Sequence, residues 1–223
     1  MAGWFITFEG GEGAGKSTQI RRLADRLRSA GLDVVVTREP GGSPRAERIR
    51  DHLLSGGARE HGALAEALLF SSARADHLDA VIRPALARGA AVLCDRFLDS
   101  TTAYQGAVGE VPAEVIAALH RIAVGSTRPD LTLILDVGPE VGLARAGRRR
   151  AVRSEVADRF EAEGPAFHAR LREAFRAIAA AEPDRCVLVD GARDADAVEA
   201  DIWRAVAGRL GLPARAEPGD ALV

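Results

Sequence analysis

The densest chemistry in this sequence lies near its start. Gly10-Gly11-Glu12-Gly13-Ala14-Gly15-Lys16-Ser17 follows the spacing G-x-x-x-x-G-K-[ST]. Glycines let the backbone curl so that several N–H groups point at one anion. A helix opening from that curl adds the positive end of its dipole. The lysine can then bridge the β- and γ-phosphates of a nucleoside triphosphate, and the serine hydroxyl can hold Mg2+. Gly10 to Ser17, extended to Thr18, is therefore the expected ATP-binding loop, with Lys16 as a catalytic cation and Ser17 as a metal ligand. Of the 30 basic residues, Lys16 alone is not an arginine. A guanidinium is a wide planar fork, whereas an ammonium is a compact charge on a thin stem. A lysine kept against such a bias marks a place where the fork does not fit.

Three further groups of residues suit phosphoryl transfer. Asp95-Arg96 closes an apolar run. Arg96 can grip an acceptor phosphate with two hydrogen bonds, and Asp95 can hold the hydration shell of Mg2+. Phe70 and Arg74 are four apart on a helical pattern and share a face, which pairs a stacking ring with a donor fork. Each pair alone equally suits a plainer role, as a strand-end ion pair or a core phenylalanine. Arg145, Arg148, Arg149, Arg150, Arg153 and Arg159 crowd one segment. Positive charge around the oxygens in flight is what phosphoryl transfer requires. The five histidines, His52, His61, His77, His120 and His168, show no metal-ligand spacing and read as surface or helix residues.

The elements that must position these groups alternate. Apolar runs at 4–8, 34–36, 90–94, 131–135 and 186–189 read as strands. Helical spacing covers 17–30, 44–54, 62–88, 112–124, a helix beginning at 139, 161–181 and 194–210. That order predicts an α/β fold with a five-stranded parallel sheet covered on both faces, and ligands at the carboxyl ends of its strands. The motifs fall at such ends. The expectation is one domain over 1–212, an Arg-rich lid at about 145–160, and a disordered tail at 213–223. A formal net charge of −2 argues against a nucleic-acid partner. No apolar run is long enough to span a bilayer, and the start reads as a strand instead of a signal segment, which predicts a cytoplasmic protein. Cys94 and Cys186 lie in strand patterns and are expected as buried free thiols.

A guanine-reading Asn-Lys-x-Asp motif cannot exist here, because the chain has no asparagine and no second lysine. That leaves the small-molecule kinases ahead of a nucleotide-dependent switch. Thr37-Arg38-Glu39-Pro40-Gly41-Gly42, Leu69-Phe70-Ser71-Ser72-Ala73-Arg74 and the run from Asp95 to Gly106 together resemble bacterial thymidylate kinases. Arg128-Pro129-Asp130-Leu131-Thr132, Leu135-Asp136-Val137 and Asp158-Arg159-Phe160-Glu161 add to the resemblance, which runs from about Phe5 to Leu210.

The resemblance implies a P-loop kinase fold, a homodimer, and the reaction ATP + dTMP → ADP + dTDP with Mg2+. It implies that Phe70 stacks on thymine and that Arg74 donates to the 4-oxo group. Thr101, Gln105 and Ser100 would meet the other base edge, and Tyr104 would lie beneath the deoxyribose. Arg50 and Arg96 would hold the dTMP phosphate. Glu12 would lie near the 3′-hydroxyl, and Glu39 would be the acid of the acceptor side. Some relatives carry a loop arginine where this chain has Gly13, which sends the catalytic-arginine search to the lid, with Arg149 and Arg159 as the best matches. The lid departs from the family by a few extra residues between Arg150 and Asp158. A kinase for another nucleoside monophosphate or for a deoxynucleoside is the alternative within the same class.

Overall fold

The structure, a computed structural model, describes residues 3–153 and 159–212. Five strands, β1 (Trp4–Gly10), β2 (Val34–Arg38), β3 (Ala91–Asp95), β4 (Leu131–Asp136) and β5 (Cys186–Asp190), form one sheet in the order β2-β3-β1-β4-β5. Every pairing is parallel. Strands covered on both faces read as nearly continuous apolar runs, which is why sequence located all five. One face packs Ile6, Phe8, Leu93, Leu133 and Leu135 against α1 (Lys16–Ser29) and α9 (Ala195–Leu210). The other packs Phe5, Val92 and Cys94 against Leu78, Ile82 and Phe97. Cys94 and Cys186 are buried free thiols, as expected.

Chain stiffness and caps set the helix ends. Ser43 accepts from the Ala46 N–H and opens α2 (Pro44–Leu54). Asp194 accepts from the Asp196 and Ala197 N–H groups and opens α9. A 3-10 turn (Arg59–His61) precedes the span expected as one helix over 62–88, which is α3 (Gly62–His77), a π turn (Leu78–Ile82) and α4 (Arg83–Ala87). Pro84 has no N–H for the α ladder, and the widened turn absorbs that loss. Sequence assigned no element to 98–108, where the structure has α5 (Leu98–Thr101) continued by a second π turn (Thr102–Val108). α6 (Ala113–Ala123) follows Pro112.

The helix expected to begin at 139 extends far into the Arg-rich segment. α7 (Pro139–Arg153) carries it for most of its length, and α8 (Pro165–Ala181) starts after Gly164 instead of at 161. Asp158, the rest of 154–158 and the expected tail lie outside the described residues. The Glu39–Pro40 peptide is cis. Among the described residues, no helix is long and apolar enough to cross a membrane.

Candidate active site

Strand register brings the motif-bearing ends together. Phe8 pairs with Asp95, and Arg38 also pairs with Asp95, so the loops after β1, β2 and β3 rise side by side. They enclose a cleft of about 740 Å³. Of the residues expected at the site, all line this cleft except Gly10, Gly11 and Arg159. Gly10 and Gly11 stand behind it, where their carbonyls accept from Lys16 Nζ at 3.1 and 3.0 Å. Burial and the neighbouring Arg96 pull the Lys16 ammonium below its usual range, opposed by Asp95 and Glu12. Ser17 Oγ donates to Asp95 Oδ2 at 3.0 Å.

Gly13 has φ +64°, and a Cβ there would lie 2.0 Å from the Gly142 carbonyl oxygen. The contact is mutual, because a Cβ on Gly142 would lie 2.4 Å from the Glu12 carbonyl. Two glycines therefore seat the start of α7 directly on the phosphate loop. The seat leaves no room for a side chain at position 13. It also carries Arg145 and Arg149 to the cleft wall.

Beside the loop, Glu12 Oε1 accepts from Arg96 Nη2 at 2.6 Å and from the Tyr104 hydroxyl at 3.1 Å. Burial pushes the Glu12 carboxyl up, but Arg96 and Lys16 outweigh it and hold it at about 2. Arg96 Nη1 donates to the Gly10 carbonyl and to Ser100 Oγ, at 3.1 and 3.2 Å. Its backbone sits at φ +69°, a conformation that costs a non-glycine residue roughly 1–3 kcal/mol and marks functional sites. Burial raises the Tyr104 hydroxyl well above its usual range. The Ser100 hydroxyl donates to Glu9 Oε2 at 2.7 Å.

Farther out, Arg74 is fully buried. Its Nε donates to Glu39 Oε2 at 2.7 Å, and its Nη2 reaches the Phe97 carbonyl and Thr101 Oγ1 at 3.0 Å. Nη1 has no hydrogen-bond partner among the described residues. Gln105 Nε2 is 3.4 Å from Glu66 Oε2. Phe70 lies 6.3 Å from Phe160, whose ring meets Tyr104 edge-on at 5.1 Å. Arg50 Nη1 donates to the Pro40 carbonyl at 2.7 Å. On the lid side, Arg149 and Arg150 share Glu161, at 2.6 and 2.8 Å. Arg145 is anchored on the Gly191 and Ala192 carbonyls, at 2.7 and 3.1 Å. Arg159 is placed away from the cleft wall, paired with Glu66 and over the Phe160 ring.

A family model described as thymidylate kinase matches residues 8–202 of this chain. The chain belongs to the thymidylate kinase family. It is 60% identical over 210 residues to the thymidylate kinase of Caulobacter vibrioides, covering 94% of this chain and 99% of that one. It is 59% identical over 217 residues to the thymidylate kinase of Rhodopseudomonas palustris, covering 97% and 94%. The crystal structure of thymidylate kinase from Ehrlichia chaffeensis superposes with a TM-score of 0.73 at 32% identity, covering 92% of this chain and 99% of that one.

Sequence reasoning missed several residues that shape this family's cleft here. Glu9 is fully buried beneath the cleft and accepts from the Phe97 and Ser100 N–H groups at 2.8 and 3.2 Å. Burial and the charge of Asp99 push its carboxyl up to about 7. An acid directly following the apolar run 4–8 was the available signal. Glu66 and His77, both buried on α3, gave less away, since a polar residue in a helical pattern usually faces water. The set of histidines read as surface or helix residues includes His77 and His168, both buried within helices.

Proposed function

We propose that the cleft transfers the γ-phosphoryl group of ATP to dTMP. Membership of the thymidylate kinase family makes the chain a kinase for this acceptor. An oxygen of the dTMP phosphate attacks the γ-phosphorus, the bond from that phosphorus to the β,γ-bridging oxygen breaks, and ADP and dTDP leave. The acceptor is already ionised, so no nucleophilic side chain is needed, and positioning with electrostatics carries the rate. The observation that carries this reading is one cleft with two unlike ends. A phosphate loop with Lys16 lies at one end, and at the other Arg74 has a buried donor with no hydrogen-bond partner among the described residues. A buried unpaired donor costs about 1–3 kcal/mol, which a ligand acceptor such as the thymine 4-oxo group would recover.

In this reading Arg96 and Arg50 hold the acceptor phosphate, Glu12 turns Arg96 toward it, and Tyr104 lies under the sugar. Phe70 stacks on the base, while Gln105 and Thr101 meet its edge. Glu39 acts by holding Arg74. The Ser17 hydroxyl and the Asp95 carboxylate, 3.0 Å apart, fit Mg2+, which takes few protein ligands and completes its shell with water and phosphate oxygens. When bound, Mg2+ neutralises charge on the β- and γ-phosphates. Arg149, already on the cleft wall, supplies charge to the transferring group, and Arg159 joins it on leaving Glu66. The chain works in the cytoplasm, beside its ATP. It works as a homodimer, for which the half-exposed Leu64 and Leu68, one turn apart on α3, offer an apolar face. Sedimentation at micromolar concentration tests the dimer. Coupled ADP release with dTMP, dUMP, dCMP and thymidine tests the reaction. Turnover is expected on dTMP, and turnover on thymidine but not dTMP would overturn the reading.

A further inference from the structure

His77 is completely buried in the last turn of α3 and does not line the cleft. Its Nδ1 is 3.1 Å from Glu39 Oε1, and its Nε2 is 2.6 Å from Thr37 Oγ1. An ionised carboxylate can only accept, so Nδ1 carries the proton that faces Glu39. The chain closes tightly over the ring, since a Cβ on Gly42 would lie 2.3 Å from Nε2. The ring therefore has one position. The other oxygen of Glu39 receives Arg74 Nε at 2.7 Å. Thr37, His77, Glu39 and Arg74 form a single chain of hydrogen bonds from the end of β2 to the cleft.

Arg74 has five N–H groups in a rigid plane. Nε is committed to Glu39, and Nη2 to Phe97 and Thr101. What remains is Nη1, the edge without a partner among the described residues. The direction of that edge follows from the plane, and the plane is fixed on one side by Glu39. Loss of the Nδ1 donor would leave Glu39 Oε1 a buried acceptor short of a partner. The carboxylate would turn to recover one, and Arg74 would turn with it.

We infer that His77 is a positioning residue for nucleobase selection. Through Glu39 it sets the guanidinium plane of Arg74, so that Nη1 meets a carbonyl at the 4-position of a pyrimidine and faces an amine there without a bond. The inference rests on the reading of Arg74 as the base-edge donor.

The test compares the ratio of kcat/KM for dTMP to kcat/KM for dCMP in the full chain and its variants. His77→Leu removes the donor. It is expected to lower the ratio about tenfold, the value of one mispaired hydrogen bond, mainly through a higher KM for dTMP, with KM for ATP unchanged. His77→Asn returns an N–H near the position of Nδ1 and is expected to hold the ratio within about twofold of wild type. His77→Gln places its amide near Nε2 instead and is expected to lose selectivity as the leucine variant does. A residue that merely fills space would change stability and leave the ratio alone. A wild-type ratio in His77→Leu overturns the inference. Should that variant not fold, equal wild-type ratios in the asparagine and glutamine variants overturn it. Arg74→Met separates the two readings. If it keeps the wild-type ratio, the base-edge reading of Arg74 itself fails. If it loses the ratio while His77→Leu keeps it, only the role of His77 fails.

Discussion

Glu12 shows how one side chain is kept in its working state by its neighbours. Burial alone would push its carboxyl up, yet Arg96 and Lys16 outweigh it and keep it ionised with a pKa of about 2. Ionised, it accepts from Arg96 and Tyr104 at once and fixes both side chains against the cleft. Arg74 works by the opposite principle, because its Nη1 has no hydrogen-bond partner among the described residues. From this follows an order of substrates. Cytosine presents an amine to a fixed donor, which costs about 1–3 kcal/mol, or roughly tenfold to a hundredfold in kcat/KM. Uracil merely lacks a methyl group, worth about 1 kcal/mol. The expected order of kcat/KM is dTMP, then dUMP, then dCMP, read from steady-state ADP release. Equal use of dUMP and dCMP would contradict the role given to Arg74.

At the scale of elements, the proposed reading takes its catalytic charge from α7, which is seated on the phosphate loop. Gly13 and Gly142 touch backbone to backbone, so α7 delivers Arg145 and Arg149 to the cleft, and the loop itself has no space for an arginine. Gly142→Ala would push α7 off the loop. The expected result is a fall in kcat of at least about tenfold, the scale of losing part of one electrostatic contact to the transition state. KM for dTMP should stay within about twofold, since Arg74, Phe70 and Arg96 do not sit on α7. A drop confined to KM would show that the seat serves the acceptor instead. The strands and the phosphate loop were legible in sequence because burial on both faces and a fixed spacing leave plain signals. Gly13 was legible as a missing side chain but not as a contact, because Gly142 is 129 positions away and carries no motif of its own. The helical run over 98–108 was hidden by its π turn, in which Tyr104 and Gln105 follow neither a period of 3.6 nor one of 2. The helix expected from 139 was given no end in the Arg-rich span, yet arginine is a good helix former and α7 runs through to Arg153. His77 and Glu66 face inward from α3 for polar partners supplied by distant strands and helices, which no local pattern announces.

At the scale of the whole molecule, the sheet centre holds a charge that the fold disfavours. β1 is the middle strand, and Glu9 lies on it with no exposed surface, near Asp99 and Arg96. Burial and Asp99 raise its carboxyl from 4.5 to about 7. Below pH 4.5 the folded and unfolded chains both hold the proton, and Glu9 costs nothing. Between pH 4.5 and 7 the unfolded chain releases it and the folded chain keeps it, so stability falls as pH rises through that window. The full cost above pH 7 is on the order of 3 kcal/mol at ~1.4 kcal/mol per pH unit. His120 works the other way over part of the range. Burial lowers its imidazole from 6.5 to about 4, so it adds stability as pH rises toward 6.5. Glu12, lowered to about 2, acts only below pH 4.5. The difference between wild type and Glu9→Gln isolates the one group, because His120 and Glu12 are common to both. Glutamine can accept from the Phe97 and Ser100 N–H groups with its oxygen and cannot ionise. Urea unfolding from pH 5 to 8 is expected to show the variant gaining on wild type by about 2–3 kcal/mol across the range. Parallel curves would mean that the Glu9 carboxylate is satisfied when ionised, and that the three hydrogen bonds from Phe97 and Ser100 fully offset its burial.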